Sequence, residues 1–198
     1  MLFFKSTKPT VDYIVIGLGN IGLKYENTRH NMGFICIDRL AEDLNVRFDK
    51  KKFKSSYTTA KHKDKTLLLL KPETYMNNSG EALVAAMNFY KVGTAGVIVL
   101  FDDVSIPFGN IRIRRKGSDG GQKGMRSIIE LTGSEDIMRI KVGVGEKPHP
   151  DFDMVDWVLS KFKKNEEGTV KEAAEKAAEA VLLIVTEGID KAMNKFSG

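Results

Sequence analysis

Residues 97–101 read VIVLF, five apolar side chains without a break, and two aspartates, Asp102 and Asp103, follow at once. A half-buried strand alternates apolar and polar residues. A strand apolar at every position needs cover on both faces, as in a largely parallel sheet with helices on either side. The chain must therefore supply helices to two layers.

The rest of the pattern supplies them. Residues 13–17 (YIVIG) read as a central strand. From Asn31 to Leu44, Phe34, Ile37, Ala41 and Leu44 recur at helical spacing. Residues 57–60 and 66–70 read as two strands about a Lys-Asp turn. Leu83, Val84, Met87 and Tyr90 share one face of a helix that Ser79 is expected to cap and Gly93 to end. Ile111 and Ile113 alternate with arginines, which suits an edge strand. Met125, Ile128 and Ile129 mark a helix stopped near Gly133, and residues 137–144 a further strand. One long helix is expected after Asn165, with Val170, Ala173, Ala177, Val181 and Ile184 on its stripe. This alternation predicts a single α/β globular domain with a central sheet. Its extent is expected to be residues 11–198, with 1–10 an N-terminal extension.

At 198 residues and 42% hydrophobic, the chain can bury one sizeable core. Its apolar runs are far shorter than the roughly 18 residues of a membrane span, and no secretory signal is seen in the first residues. The single cysteine, Cys36, lies in a helical pattern and reads as a buried small hydrophobe. No zinc-type Cys/His spacing occurs. A cytoplasmic protein without metal or cofactor is expected. Net charge is only +5, so the placing of charge matters more than its sum. Residues 112–116 (RIRRK) are the densest basic run beside a glycine-rich stretch, either a solvated surface or a phosphate-contacting one.

The loop after the first strand begins GLGNIG, residues 17–22, which fits G-x-G-x-x-G. A dinucleotide site needs a helix to open on the third glycine, so that its N-terminus meets the pyrophosphate. Here the apolar helical period starts only near Phe34, and no acidic residue closes a second strand about 20 residues on. The fingerprint is weak support for an oxidoreductase. The segment instead gathers Asn20, Tyr25, Thr28, Arg29, His30 and Asn31 at a strand's carboxyl end, where open α/β sheets bind ligands.

His30 is the one histidine of three that sits among amides, glycines and an aromatic ring. A histidine acting as general base needs an orienting carboxylate. Asp102 ends the apolar strand at the same sheet edge and is the best candidate; the other reading is a carboxylate that only caps a turn. KPETYMNNSG, residues 71–80, brings Asn77 and Asn78 to a strand-to-helix turn, either as ordinary turn residues or as amide donors to a polarised carbonyl. In RRKGSDGGQKGMRS, residues 114–127, four glycines permit close backbone approach, and the flanking arginines and lysines would surround a polyanion.

Together these segments resemble the bacterial peptidyl-tRNA hydrolase family. The family pattern G-L-G-N-P-G-x-x-Y-x-x-T-R-H-N-x-G appears as GLGNIGLKYENTRHNMG. K-P-x-T-F/Y-M-N-x-S-G appears as KPETYMNNSG, D-D-L-D-L-P-x-G as DDVSIPFG, and G-S-x-G-G-H-N-G-L/M-K-S-I as GSDGGQKGMRSI. The motifs fall in order and span residues 13 to about 145. The resemblance implies one domain with a twisted mixed β-sheet flanked by helices. It implies hydrolysis of the ester joining a peptide to the terminal ribose of tRNA, by a monomer, with no metal and no covalent intermediate. His30 would be the general base and Asp102 its orienting partner. Asn20 would test whether the α-amino group is acylated. Asn77 would bind substrate, and Tyr25 and Tyr75 the tRNA end. Arg114 and Lys141 are expected at phosphates, and Lys123 at a phosphate or ribose.

Three positions depart from the pattern. Ile21 replaces proline, Ser105 replaces aspartate, and Gln122-Lys123 replaces His-Asn. Lysine cannot accept a hydrogen bond as an amide oxygen does, and glutamine cannot titrate. That pair bears on the positioning of water. It favours the alternative of an RNA-binding relative without activity; retention of Asn20, His30, Asn77 and Asp102 argues against that alternative.

Overall fold

The computed structural model describes residues 10–196. The expected N-terminal extension falls almost wholly outside them. The described chain forms β1 (Tyr13–Gly17), α1 (Met32–Asp43), β2 (Lys50–Lys52), β3 (Ser55–His62), β4 (Lys65–Pro72), α2 (Ser79–Tyr90) and β5 (Val97–Asp103). There follow β6 (Ile111–Arg114), α3 (Lys123–Thr132), β7 (Met138–Gly143), α4 (Met154–Leu159), α5 (Glu167–Glu187) and α6 (Ile189–Phe196).

One mixed sheet runs in the order β2-β3-β4-β1-β5-β7-β6. Its centre, β4-β1-β5-β7, is parallel. The β3-β4 hairpin and β6 add antiparallel margins. Every residue of β5 from Val97 to Phe101 is buried, and alternation splits the side chains between two cores. Ile98 and Leu100 pack with Val15, α1 and α5. Val97, Val99 and Phe101 pack with Ile14, Ile16, α2 and α3. The edge strand β6 buries Ile111 and Ile113 and exposes Arg112 and Arg114. Cys36 is fully buried in α1, where burial pushes its thiol up beyond the range of ordinary titration.

Three local expectations are revised. Ser79 is the first residue of α2 rather than its cap; its hydroxyl donates to Met76 O. Lys91, in a left-handed conformation at φ 61°, ends α2 before Gly93 is reached. The C-terminal helix is two helices, parted at Gly188 with φ 90°. β2 and α4 were not foreseen. α4 has a legible start, since the Asp153 carboxylate accepts from Val155 N and Asp156 N at 2.7 and 3.0 Å.

One cation is buried in the sheet. Arg139, on β7, has no exposed surface. It donates to the carbonyls of Ile137, Ser118 and Glu135 at 3.2, 2.8 and 2.9 Å. These bonds tie the glycine-rich segment around Ser118 to the start of β7.

Candidate active site

The carboxyl ends of β1, β4 and β5 come together at one edge of the sheet. No helix follows Gly22. Single helical turns at Leu23–Tyr25 and Arg29–Asn31 intervene before α1 opens at Met32, so the geometry of a dinucleotide loop is not built. The glycines serve contact instead. A Cβ on Gly17 would lie 2.3 Å from Gly33 O, and one on Gly19 2.6 Å from the Phe34 ring. The loop thus lies directly on α1.

That contact carries His30 to the end of β5, where Nδ1 is 2.8 Å from Asp102 Oδ2. The side chains are 13% and 3% exposed. Burial opposes a charged imidazole and Lys123 adds to the opposition. The Asp102 charge and hydrogen bond outweigh both, so the His30 pKa stands above its ordinary 6.5. The network assigns the Nδ1 proton to the carboxylate and leaves Nε2 as the basic nitrogen. Asp103, one residue on, also lines that edge of the sheet. Burial opposes its charge, but Ser105 and Lys141 hold its carboxyl below the usual range.

The pair lies in a cleft of about 500 Å³. Asn20, Tyr25, Tyr75, Asn77 and Lys123 line it with His30 and Asp102. Asn20 is buried and fixed from three sides. Its backbone N–H donates to Asn31 Oδ1 at 2.8 Å, its carbonyl accepts from Asn31 Nδ2 at 2.9 Å, and its side-chain Oδ1 accepts from Met76 N at 2.9 Å. The oxygen is thus engaged, and Asn20 lines the cleft. Tyr75 is half exposed at φ 57°, ψ 164°, a backbone region open to little but glycine. Its ring meets the Tyr25 ring edge-on at 6.5 Å. Asn77 is exposed beside them on the turn Met76–Asn78.

The two cations expected at phosphates do not line the cleft. Lys141 lies beneath the glycine-rich loop, paired to Asp103 at 2.9 Å and 18% exposed. Arg114 is exposed on β6 in register with Arg139, three residues short of the row that holds Val142 and Asp102. It is outside the cleft.

A family model described as peptidyl-tRNA hydrolase matches residues 14–198. The chain belongs to the peptidyl-tRNA hydrolase family. It is 50% identical to a peptidyl-tRNA hydrolase of Caldanaerobacter subterraneus over 94% of this chain and all of the relative. Against one from Thermoanaerobacter sp. (strain X514) the identity is 49%, with the same coverage. The crystal structure of the Acinetobacter baumannii peptidyl-tRNA hydrolase superposes with a TM-score of 0.87 at 28% identity, covering 96% of this chain and 97% of that one.

Within this family framework the structure adds three features of the site: the contacts of Gln122, those of Arg29, and α4. Gln122 is buried, caps α3 and touches Asp102. Arg29, next to His30, is 2% exposed and lies 3.9 Å over the Trp157 ring. It donates to Ser160 Oγ, Lys161 O and Glu166 Oε1, which fastens the segment after α4 to the histidine turn. α4 itself presents Met154, Val155, Val158 and Leu159 as an apolar wall of the cleft. The capping aspartate before MVDWVL was the signal for that wall; the motifs mark Arg29 and Gln122, but no local signal gives their contacts. Among the described residues no group of three His, Cys, Asp or Glu side chains is placed to hold a metal ion. No helix among them is long and apolar enough to cross a membrane.

Proposed function

We propose that this protein hydrolyses the ester bond of peptidyl-tRNA, releasing the peptide and a free tRNA. The observation that carries the mechanism is the 2.8 Å contact between His30 Nδ1 and Asp102 Oδ2 at the cleft. Nε2 takes a proton from a water, and the hydroxide attacks the ester carbonyl carbon. Collapse of the tetrahedral intermediate breaks the ester bond, and the imidazolium returns the proton to the departing ribose oxygen. Asp102 holds the ring and stabilises its charged form. General base catalysis of this kind contributes about 10²–10⁴-fold. Asn77, and Lys123 as a cation, offer donors to the carbonyl oxygen as it gains charge.

Asn20 reads the substrate's amino end. Its amide hydrogens suit the carbonyl oxygen of an acylated amino group and repel a free ammonium. Tyr25 and Tyr75 offer aromatic faces to the terminal bases of the tRNA. Arg114 and Lys141 act at phosphates. The enzyme works as a monomer in the cytoplasm, away from membranes. An inactive RNA-binding relative is not favoured, because relatives at 43–50% identity carry the hydrolase name.

The test compares N-acetyl-aminoacyl-tRNA with unblocked aminoacyl-tRNA, for wild type and His30→Ala. Cleavage of the blocked substrate alone, and by wild type alone, is expected. Binding without cleavage by wild type would sink the hydrolase reading.

A further inference from the structure

Asp102 is held from two layers of the fold. On one side His30, at the entry to α1, donates to Oδ2. On the other, Gln122 Nε2 lies 3.2 Å from Oδ1. Gln122 precedes α3, which packs on the opposite face of the sheet from α1. The same side chain caps that helix, its Oε1 accepting from Met125 N at 2.7 Å. Its remaining contact is Nε2 to Met76 Sδ at 3.1 Å.

These contacts fix which way the amide faces. Turned over, its oxygen would meet a carboxylate oxygen and its NH₂ would meet the Met125 N–H, two repulsive pairs in a buried place. Gln122 is 8% exposed and Asp102 4%, so water is a poor substitute for either partner.

We infer that Gln122 is a positioning residue for the His30–Asp102 pair, an uncharged clamp on the carboxylate oxygen that His30 does not use. The inference rests on the hydrolase reading of that pair. An uncharged donor suits the place. A cation there would cancel the charge with which Asp102 stabilises the imidazolium, whereas an amide orients the carboxylate and leaves its charge in force.

The charged neighbours leave that task to Gln122. From β5, Asp103 is engaged with Lys141 and Ser105. From the turn before α1, Arg29 is engaged with Glu166. α4 faces the cleft with Val155, Val158 and Leu159, and Tyr25 and Tyr75 line it without a carboxylate. From α3, Lys123 lines the cleft and acts on His30 as a like charge.

Gln122→Ser separates the two tasks, because serine still caps a helix but is too short to reach Asp102. Gln122→Met keeps the shape and removes both bonds. Each is assayed for steady-state hydrolysis of N-acetyl-aminoacyl-tRNA against pH, for His30 titration by NMR, and for melting temperature. Loss of the donor concentrates the carboxylate charge on the imidazolium, so both variants are expected to raise the His30 midpoint, by roughly half a unit or more. kcat is expected to fall about tenfold with KM within about twofold. Gln122→Ser should melt near wild type. If it also keeps the wild-type midpoint and kcat, or if Gln122→Met only melts earlier, Gln122 is a helix cap and the inference is overturned. A raised midpoint by NMR with an unchanged rate profile supports the clamp and removes His30 as the base.

Discussion

Gly33 lies against Leu100: a Cβ on Gly33 would stand 2.3 Å from the Leu100 carbonyl oxygen. His30 is three residues before that contact along the chain, and Asp102 is two residues beyond it. The close approach of α1 to β5 therefore sets the separation of the pair. Leu18 N and O are each 2.5 Å from the same point, so backbone on two sides would have to move. Gly33→Ala is expected to cost about 3 kcal/mol, the upper part of the range for overpacking. Activity should fall further than the unfolded fraction explains. Denaturant melts beside kcat, measured where the variant stays folded, check both; a variant with wild-type kcat would show that the contact does not govern the pair.

The pH dependence follows from the raised pKa of His30. The base must be neutral, so the rate should rise with pH through one ionisation whose midpoint lies above 6.5. The same shift has a sign in stability. Its contribution is full below the unfolded value and is lost as pH rises through the higher folded one. Asp102→Asn removes the charge that causes the shift, so its midpoint should drop below that of wild type, and its kcat should fall by about 10² or more. Full activity at pH 5 would exclude His30 as the base.

Asn20→Asp tests the amide reading. Aspartate keeps an oxygen for Met76 N but puts a second, negative oxygen where Nδ2 stood. Discrimination is expected to shrink, with slower cleavage of N-acetyl-aminoacyl-tRNA and faster cleavage of the free-amino substrate. The ratio of the two kcat/KM values is the measurement, and a change of about tenfold or more is expected for a lost, charge-inverted contact. An unchanged ratio would place the discrimination elsewhere.

Arg114 and Lys141 should behave differently in salt. Arg114 is exposed, and its guanidinium donates to Ile113 O. Arg114→Gln is expected to weaken tRNA binding and to lower the slope of log K against log salt by about 0.7–0.9, one phosphate's worth. Lys141→Met would also strip Asp103 of its cation. It should lower the melting temperature as well as the affinity, and only the latter should respond to salt.

The two-layer architecture was legible because β5 is apolar from Val97 to Phe101 and β6 alternates; those patterns speak about burial, which sequence carries locally. The meeting of His30 with the end of β5 was legible because both lie at carboxyl ends of parallel strands. The contacts of Gln122 were not. The sequence marks the residue as bearing on the positioning of water, but its two bonds depend on where α3 enters across the sheet. Arg29 was placed at the strand end, but its burial was not legible, because the Trp157 ring that covers it is 128 positions away. The division of the last helix turned on one left-handed glycine within an otherwise continuous stripe.

The pair of His30 with Asp102 closes a loop of 72 residues, and the strand that carries Asp102 is joined to its neighbours by parallel pairing, which no hairpin can nucleate. Such contacts are slow to form, since their chain entropy is lost before they return anything. Hydrolysis therefore reports the completed topology. A nascent chain that stops before β5, or a refolding intermediate built on the β3-β4 hairpin alone, has no dyad with which to cut the ester. In a refolding experiment, catalysis should return with the slowest phase.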